Sequence, residues 1–305
     1  MTGKPFLLGI AAAAGVAAAA AYVYVPAGYA IKALANPSGA CSVMQAMRID
    51  AHKRELTAAK DSILEAQKLI RTDESGLELY STAYGEFWAP KGSKYILPFN
   101  FAEQAIDIYG TGAQGVQKGD IVLDCGANVG TFARYALDAG AAKVVAIEPA
   151  PDNLECLRRN FPKEIAGGQL VIYPKGVWDK DDVLEFLVDP ENQAADSFVI
   201  HRKGATATVK LPLTTIDKLV AELGLPKVDF IKMDIEGAEV RAVEGARETI
   251  ARHHPRLSLS VYHQDDHPVA VPNAVKAAWP EVKIECGHCA SANGVVRAEV
   301  LYFHR

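Results

Sequence analysis

Between Ile121 and Thr131 a short apolar run passes through two glycines into a helical stretch, and this junction restricts the possible fold more than any other segment. Ile121 to Leu123 reads as a strand, Asp124-Cys125-Gly126-Ala127-Asn128-Val129-Gly130 as the turn, and Thr131 to Ala139 as a helix ended by Gly140. Glycine is expected where the backbone turns sharply and other atoms approach it closely, because no side chain obstructs either. The alternation continues, with strands at Lys143 to Ile147, Leu170 to Tyr173, Val228 to Met233 and Leu257 to Tyr262. Helical stretches separate them at Asn153 to Asn160, Ile216 to Leu223 and Glu239 to Ala251. Such alternation builds a parallel sheet with crossover helices. Arg297 to Phe303 reads as a closing edge strand. The fold expected is α/β and Rossmann-like, a mostly parallel sheet with an antiparallel closing strand.

In an open α/β sheet, ligands bind outside the carboxyl ends of the strands. There the turn at Gly126, Asn128 and Gly130 is expected to cradle a cofactor, with the amides at the start of the following helix facing its carboxylate. Asp124 would meet an ammonium group, and Glu148, at the end of the next strand, would accept from both ribose hydroxyls. A nicotinamide dinucleotide requires glycine at relative positions one, three and six. Gly126, Asn128 and Thr131 occupy those positions, so only one of the three matches. An acid two residues before the first glycine, with a second glycine four later, instead fits S-adenosyl-L-methionine as the cofactor. Its adenine is expected over Gly176-Val177-Trp178-Asp179, with Val177 giving backbone and apolar contact; Trp178 either stacks on the base or belongs to the core. A nicotinamide-dependent oxidoreductase and a cofactor-binding module without catalysis are the alternatives.

Charges crowd a second strand end at Lys232-Met233-Asp234-Ile235-Glu236-Gly237-Ala238-Glu239. A solvated helix start explains Glu236 and Glu239. It does not explain Lys232, which lies within the strand. From Gly119 to the C-terminus the sequence resembles the FkbM family of methyltransferases. The resemblance rests on Gly119 to Gly130, Ile147-Glu148-Pro149, Thr214-Thr215-Ile216-Asp217, the Lys232 to Glu239 run and Ser260-Val261-Tyr262-His263. It implies a class I methyltransferase fold and O-methylation of a hydroxyl on a small-molecule or sugar scaffold.

A sulfonium donor is already activated, so the protein must mainly align the acceptor and assist loss of its proton. The candidates for this work are Lys232, Asp234, Glu236 and His263, with Asp234 also a cofactor contact. Histidine has a suitable pKa for a base, or it orients a carboxylate. No metal is expected, because two acids and His263 lack a clear third carboxylate. His263 and His267 are read as part of a polar loop.

The segment before this domain carries other constraints. Pro5 to Val25 holds no charged residue, long enough for a bilayer-spanning helix, with a cleaved signal segment as the rival. Because S-adenosylmethionine is a cytosolic metabolite, the expected arrangement is one N-terminal anchor with the catalytic body facing the cytoplasm. Residues 26–75 read as a linker and an amphipathic helix, from about Ile49 to Ile70, and 76–305 as the methyltransferase domain with its core at 117–305. Tyr80 to Pro98 reads as strand and loop covering part of the site. The net charge of -5 argues against a nucleic-acid partner, and the Asp/Asn-Pro-Pro-aromatic motif of amino-group methylation is missing. The acceptor expected is therefore a small molecule, a saccharide or a lipid-linked compound. Five cysteines at irregular spacing read as reduced thiols rather than a disulfide framework, and Cys286 and Cys289 as a packed strand end.

Overall fold

The computed structural model describes residues 25–36, 39–188, 207–292 and 294–305. Residues 25–35 form helix α1, followed by α2 (Val43–Met47) and α3 (Ile49–Ala66). A small antiparallel sheet comes next, made of β1 (Lys68–Thr72), β2 (Glu78–Thr82) and β3 (Gly85–Ala89), then α4 (Ile96–Ala105). The main domain runs β4 (Ile121–Cys125), α5 (Thr131–Asp138), β5 (Lys143–Ile147), α6 (Pro151–Asn160), α7 (Pro162–Ala166) and β6 (Leu170–Tyr173). A side sheet holds β7 (Gly176–Val177), β8 (Asp182–Val188) and β9 (Ala207–Thr214), and α8 (Ile216–Glu222) returns the chain to the centre. There follow β10 (Phe230–Met233), α9 (Glu239–Glu244), α10 (Arg247–His253), β11 (Arg256–Ser260) and α11 (His267–Ala278). The chain closes with β12 (Lys283–Cys286), β13 (Cys289–Ala292), β14 (Val295–Ala298) and β15 (Val300–His304).

The principal sheet has seven strands in the order β12-β15-β11-β10-β4-β5-β6. The pairings from β11 through β6 are parallel, while β15 runs antiparallel to both of its neighbours. Strands covered on both faces must be largely apolar on both, which is why β4, β5 and β10 are mostly hydrophobic, with the Asp124–Lys232 pair as the buried exception. Alternation sorts their side chains. Val122, Val144 and Phe230 join the core beneath α4, α5 and α6, whereas Leu123, Val145 and Ile231 join the core beneath α8 to α11. The strand order therefore brings the carboxyl ends of β4, β5, β10 and β11 to one rim.

The structure corrects four sequence expectations. The amphipathic helix stops at Ala66, four residues early, and Lys68–Thr72 is a strand instead. The linker reading fails for residues 25–35, which are helical. Cys41 is bonded to Cys289 in a disulfide spanning 248 residues of sequence, so the cysteines are not all free thiols. The helix expected from Glu239 to Ala251 is two helices, because Gly245 presses against another part of the chain. The apolar run from Pro5 lies outside the described residues except for Val25; among the described residues no helix is long and apolar enough to cross a membrane.

A methyl group on Gly245 would lie 2.0 Å from the carbonyl oxygen of Trp178, which is backbone and cannot swing aside. Gly245→Ala is therefore expected to destabilise the fold by about 1–3 kcal/mol through overpacking. Urea denaturation would read this as a lower midpoint at unchanged slope. An unchanged midpoint would show that the contact gives way without cost.

Candidate active site

Lys232 and Asp124 stand opposite one another in the register of β10 and β4. The Lys232 ammonium lies 3.2 Å from Asp124 Oδ1, the two side chains being 5% and 0% exposed. It also donates to the carbonyl oxygen of Gly126 at 2.8 Å and lies 5.4 Å from the centre of the Tyr109 ring. Asp124 and Asp234 outweigh the effect of burial and hold its pKa above the usual lysine value. Lys232 thus ties the end of one strand to the glycine turn of the next. Asp124 is consequently turned to this lysine rather than to a ligand ammonium.

The turn is held from within. The amides of Gly126 and Ala127 donate to the Ile147 carbonyl, that of Asn128 to Glu148 Oε2, and that of Gly130 to the Ala127 carbonyl. The amide of Val129 donates to Oδ1 of Asn128. Their protons are committed to the protein, so the turn is held by bonds of its own and the helix that starts at Thr131 follows from it. Gly126 has φ +77, and a Cβ there would sit 2.0 Å from the Asp234 carbonyl oxygen. Gly130 has φ +96, and a Cβ there would meet the Phe161 ring at 2.3 Å. Both glycines are required by left-handed backbone and by protein packing, not by ligand approach alone.

Glu148, at the end of β5, is 5% exposed. Its oxygens accept from the amides of Asn128 and Ala150, both at 2.8 Å. Burial lifts its pKa to about 7 against these amides and the side chain of Asn153. Its two oxygens carry four lone pairs between them, and the two amides and the Asn153 side chain leave one of these free.

Asn100, Glu103, Gln104, Tyr109, Gly126, Asn128, Lys232, Asp234 and Glu236 surround one pocket at this rim, with Ala127, Thr131 and Phe132. Five of the residues anticipated from sequence therefore meet there: Gly126, Asn128, Lys232, Asp234 and Glu236. Asp234 Oδ2 accepts from the Tyr109 hydroxyl at 2.8 Å, and Oδ1 from the Tyr262 hydroxyl at 3.4 Å. Burial pushes its pKa up, but His263, Lys232 and Tyr109 together bring it below the usual aspartate value. Glu236 has φ +56, a conformation uncommon for a non-glycine residue. Val177 is placed elsewhere: its side chain is 2% exposed and joins the core under α8 to α11, leaving only backbone to face a ligand.

Behind the pocket, Glu239 is fully buried. Its Oε1 accepts from the Ile235 amide at 3.0 Å and pairs with His263 Nδ1 at 2.8 Å. Its Oε2 accepts from the Gly237 amide at 3.0 Å and lies 3.3 Å from His267 Nδ1. His263 Nε2 points the other way, 3.3 Å from Asp234 and 3.5 Å from Glu236. Burial alone would lower the His263 pKa; Glu239 first, then Asp234 and Glu236, raise it to about 9. At neutral pH His263 is an imidazolium among three acids, a holder of carboxylates and not an acceptor of protons. Asp234, Glu239 and His263 also bring three ligand atoms within 4.8 Å, the donor set of a cation site; the protonated ring supplies positive charge at that point.

Several of these residues were not legible in sequence. Glu103 and Tyr109 come from α4 and the loop after it, outside the strand ends where a site is sought. Glu239 and His267 were read as a helix start and a polar loop, yet His267 opens α11 and faces Glu239. Asn160 bonds the backbone of Trp88 in both directions and the Val129 carbonyl, clamping β3 onto the glycine turn.

A seven-stranded, mostly parallel sheet with an antiparallel closing strand, carrying a glycine turn and an acid at the ends of its central strands, defines a class I methyltransferase-like fold. The sequence matches the methyltransferase FkbM domain over residues 124–282, just over half of the 305-residue chain. The chain belongs to the FkbM methyltransferase family. It is 27% identical over 129 residues to the hexuronic acid methyltransferase AglP of Haloferax volcanii, covering 42% of this chain and 51% of that protein. It is also 27% identical over 127 residues to a tRNA (guanine(37)-N(1))-methyltransferase of Aedes aegypti, covering 41% of this chain and 22% of that protein. The chain thus spans about half or less of the length of these two relatives. The crystal structure of a methyltransferase FkbM from Methylobacillus flagellatus KT superposes with a TM-score of 0.48 at 17% identity, covering 85% of this chain and 62% of that one.

The His263 pKa is raised on folding from its ordinary 6.5 to about 9. A raised pKa contributes stability that is complete below 6.5 and is lost as pH climbs through 9. Thermal midpoints of wild type and His263→Gln are therefore expected to lie far apart below that window and to converge above it. A gap independent of pH would mean that the ring is neutral in the folded protein.

Proposed function

We propose that the protein is an S-adenosyl-L-methionine-dependent O-methyltransferase acting on a hydroxyl of a saccharide, lipid-linked or other small acceptor. The observation that carries the proposal is the buried Glu148 carboxylate beside the Gly126–Gly130 turn, next to a pocket lined by ionisable groups. The donor set fits the cofactor. Glu148 retains a lone pair for a ribose hydroxyl, and the turn at Asn128 is bonded directly to it. Asp234, ionised at the pocket edge, is the acid that would receive the methionine ammonium, while Asp124 acts only through Lys232. When bound, S-adenosyl-L-methionine supplies an activated methyl group; the chain supplies alignment and a place for the acceptor's proton.

That place is Glu103. It lines the pocket across from Lys232 and Asp234. Burial, reinforced by the Asp234 charge, lifts its pKa well above the usual glutamate range. A carboxylate with a raised pKa is a stronger base than an ordinary one, but it accepts a proton only in its ionised fraction, so turnover through Glu103 should rise with pH as that carboxyl loses its proton. Asp234 is ill suited because it already accepts two tyrosine hydroxyls and faces the imidazolium. A saccharide acceptor draws support from the relative named as a hexuronic acid methyltransferase. The tRNA-modifying relative suggests nucleic acid instead, but the negative total charge disfavours a phosphate backbone. Anchoring through the run from Pro5 to Val25, with the domain on the cytoplasmic side, belongs to the same proposal.

Calorimetric titration with S-adenosylhomocysteine should show one site, with affinity falling about tenfold or more in Glu148→Ala, the loss expected for a charged hydrogen-bond acceptor. Transfer of a labelled methyl group to extracted glycans, lipids and metabolites should identify the acceptor. Glu103→Gln should then lower kcat by roughly 10²–10⁴ with little change in S-adenosylhomocysteine affinity. Binding of a nicotinamide dinucleotide in place of S-adenosylhomocysteine would overturn the reading as a whole. Wild-type kcat in Glu103→Gln would remove only the base assignment.

A further inference from the structure

Outside the lining of the methyl-transfer pocket, three cysteines from two distant parts of the chain converge. Cys41 follows α1, Cys286 ends β12 and Cys289 opens β13. Cys41 and Cys289 are bonded, and the Cys286 sulfur lies 3.5 Å from that of Cys289. All three sulfurs fall within 4.8 Å of one another. A disulfide needs two sulfurs and gives no reason for a third to be held at contact distance.

The surroundings are built to hold them. Gln45, on α2, donates to the Cys286 carbonyl at 2.6 Å, and Asn36 donates to the Val296 carbonyl at 3.3 Å. Gly39 passes so close to β14 that a Cβ would lie 2.3 Å from the Val296 carbonyl oxygen. The shared core is small: Ala33, Ala46, Ile49, Cys289 and Val296 are its buried members. A cluster of that size is too small to hold an arm by apolar burial alone, and small cores are commonly stapled by disulfides or metals. Two imidazoles stand beside it. His288, between the two cysteines in sequence, stacks on His52 with ring centres 3.7 Å apart. His52 is 8% exposed, and neither of its ring nitrogens has a hydrogen-bond partner, although Nε2 lies 3.2 Å from Glu299.

We propose that, in the reduced protein, Cys41, Cys286 and Cys289 form a three-thiolate site for one thiophilic d10 cation, Zn²⁺ or Cu⁺, which staples the N-terminal arm to the β12–β13 corner. Soft thiolate sulfur selects these ions over hard cations. The disulfide is the oxidised form of the same site. A thiol reductant supplies two electrons and two protons, breaking the Cys41–Cys289 bond and leaving three thiols. A divalent cation then displaces three protons and leaves a trithiolate complex of charge minus one, with a fourth position for water or a neighbouring imidazole. The site is independent of the methyl-transfer reading. It also accommodates a cytoplasmic domain, where free thiols persist.

The test uses the full chain, reduced with a phosphine and kept free of oxygen. It is titrated with Zn²⁺ against a chromophoric chelator, with Cu⁺ against a cuprous chelator, and with Co²⁺ as a spectroscopic probe. One equivalent of Zn²⁺ or Cu⁺, with a sulfur-to-cobalt charge-transfer band, is expected, and the two titrations establish which ion is preferred. Cys286→Ser leaves the Cys41–Cys289 pair able to form, so folding can be checked by circular dichroism. In this variant, cation affinity should fall by more than the ~10–100-fold that loss of an outer-shell partner costs. Retention of wild-type affinity in a folded Cys286→Ser would overturn the proposal. So would a reduced wild-type protein that takes up neither ion.

Discussion

The buried ammonium of Lys232 adds a charged tie between β10, β4 and the glycine turn at the rim of the sheet. It faces Asp124 across paired strands and donates to the Gly126 carbonyl, with the Tyr109 and Phe132 rings nearby. Removing one partner of a buried ion pair leaves the other uncompensated, a larger penalty than the net stability the intact pair provides. Lys232 and Asp124 are therefore a matched unit, and the glycine turn hangs from them. Asp234 follows at the next same-face position along the strand direction, so the lysine also fixes how that carboxylate meets the pocket.

From this tie the electrostatics of the site divide into distinct roles. Glu239 carries the turn from Ile235 to Gly237 on its two oxygens and orients His263. The imidazolium then keeps Asp234 ionised despite burial, and the positive φ of Glu236 is held in place by the turn around it. Such sparsely populated backbone costs of order 1–3 kcal/mol and persists only where the surroundings enforce it. Glu103, burdened by burial and by the neighbouring Asp234 charge, is pushed toward the neutral form. Pairs of carboxyls whose surroundings drive their pKa values apart are a recurrent basis for assigning acid and base roles.

The central sheet was legible because its strands are buried on both faces and so read as apolar runs; Lys143–Ile147 and Leu170–Tyr173 fall at the residues expected. The site was legible where chemistry sits at strand ends, at Gly126, Glu148, Lys232 and Asp234. It was illegible where a role arises from tertiary proximity. Nothing local marks Gly245 as pressed on Trp178, or Cys41 as the partner of a cysteine 248 residues away. His263 looked like a base because isolated histidine titrates near neutrality. Three acids around it move it out of that range, and their convergence depends on how α9 and α11 pack behind the strand ends.

The start of the family match runs through the pocket itself. The matching region begins at Asp124 and holds the glycine turn, Glu148 and the Lys232–Glu239 run. Asn100, Glu103, Gln104 and Tyr109, which form the facing wall, lie before it. They are fixed from the family region outward: Ser258 donates to the Tyr109 carbonyl, Tyr109 donates to Asp234, and Asn160 clamps Trp88 ahead of α4. The matched region thus holds the residues before it in place. The partners of Glu148 and Lys232 apart from Tyr109 lie within the matched region, so Asn100, Glu103 and Gln104 can change without breaking them.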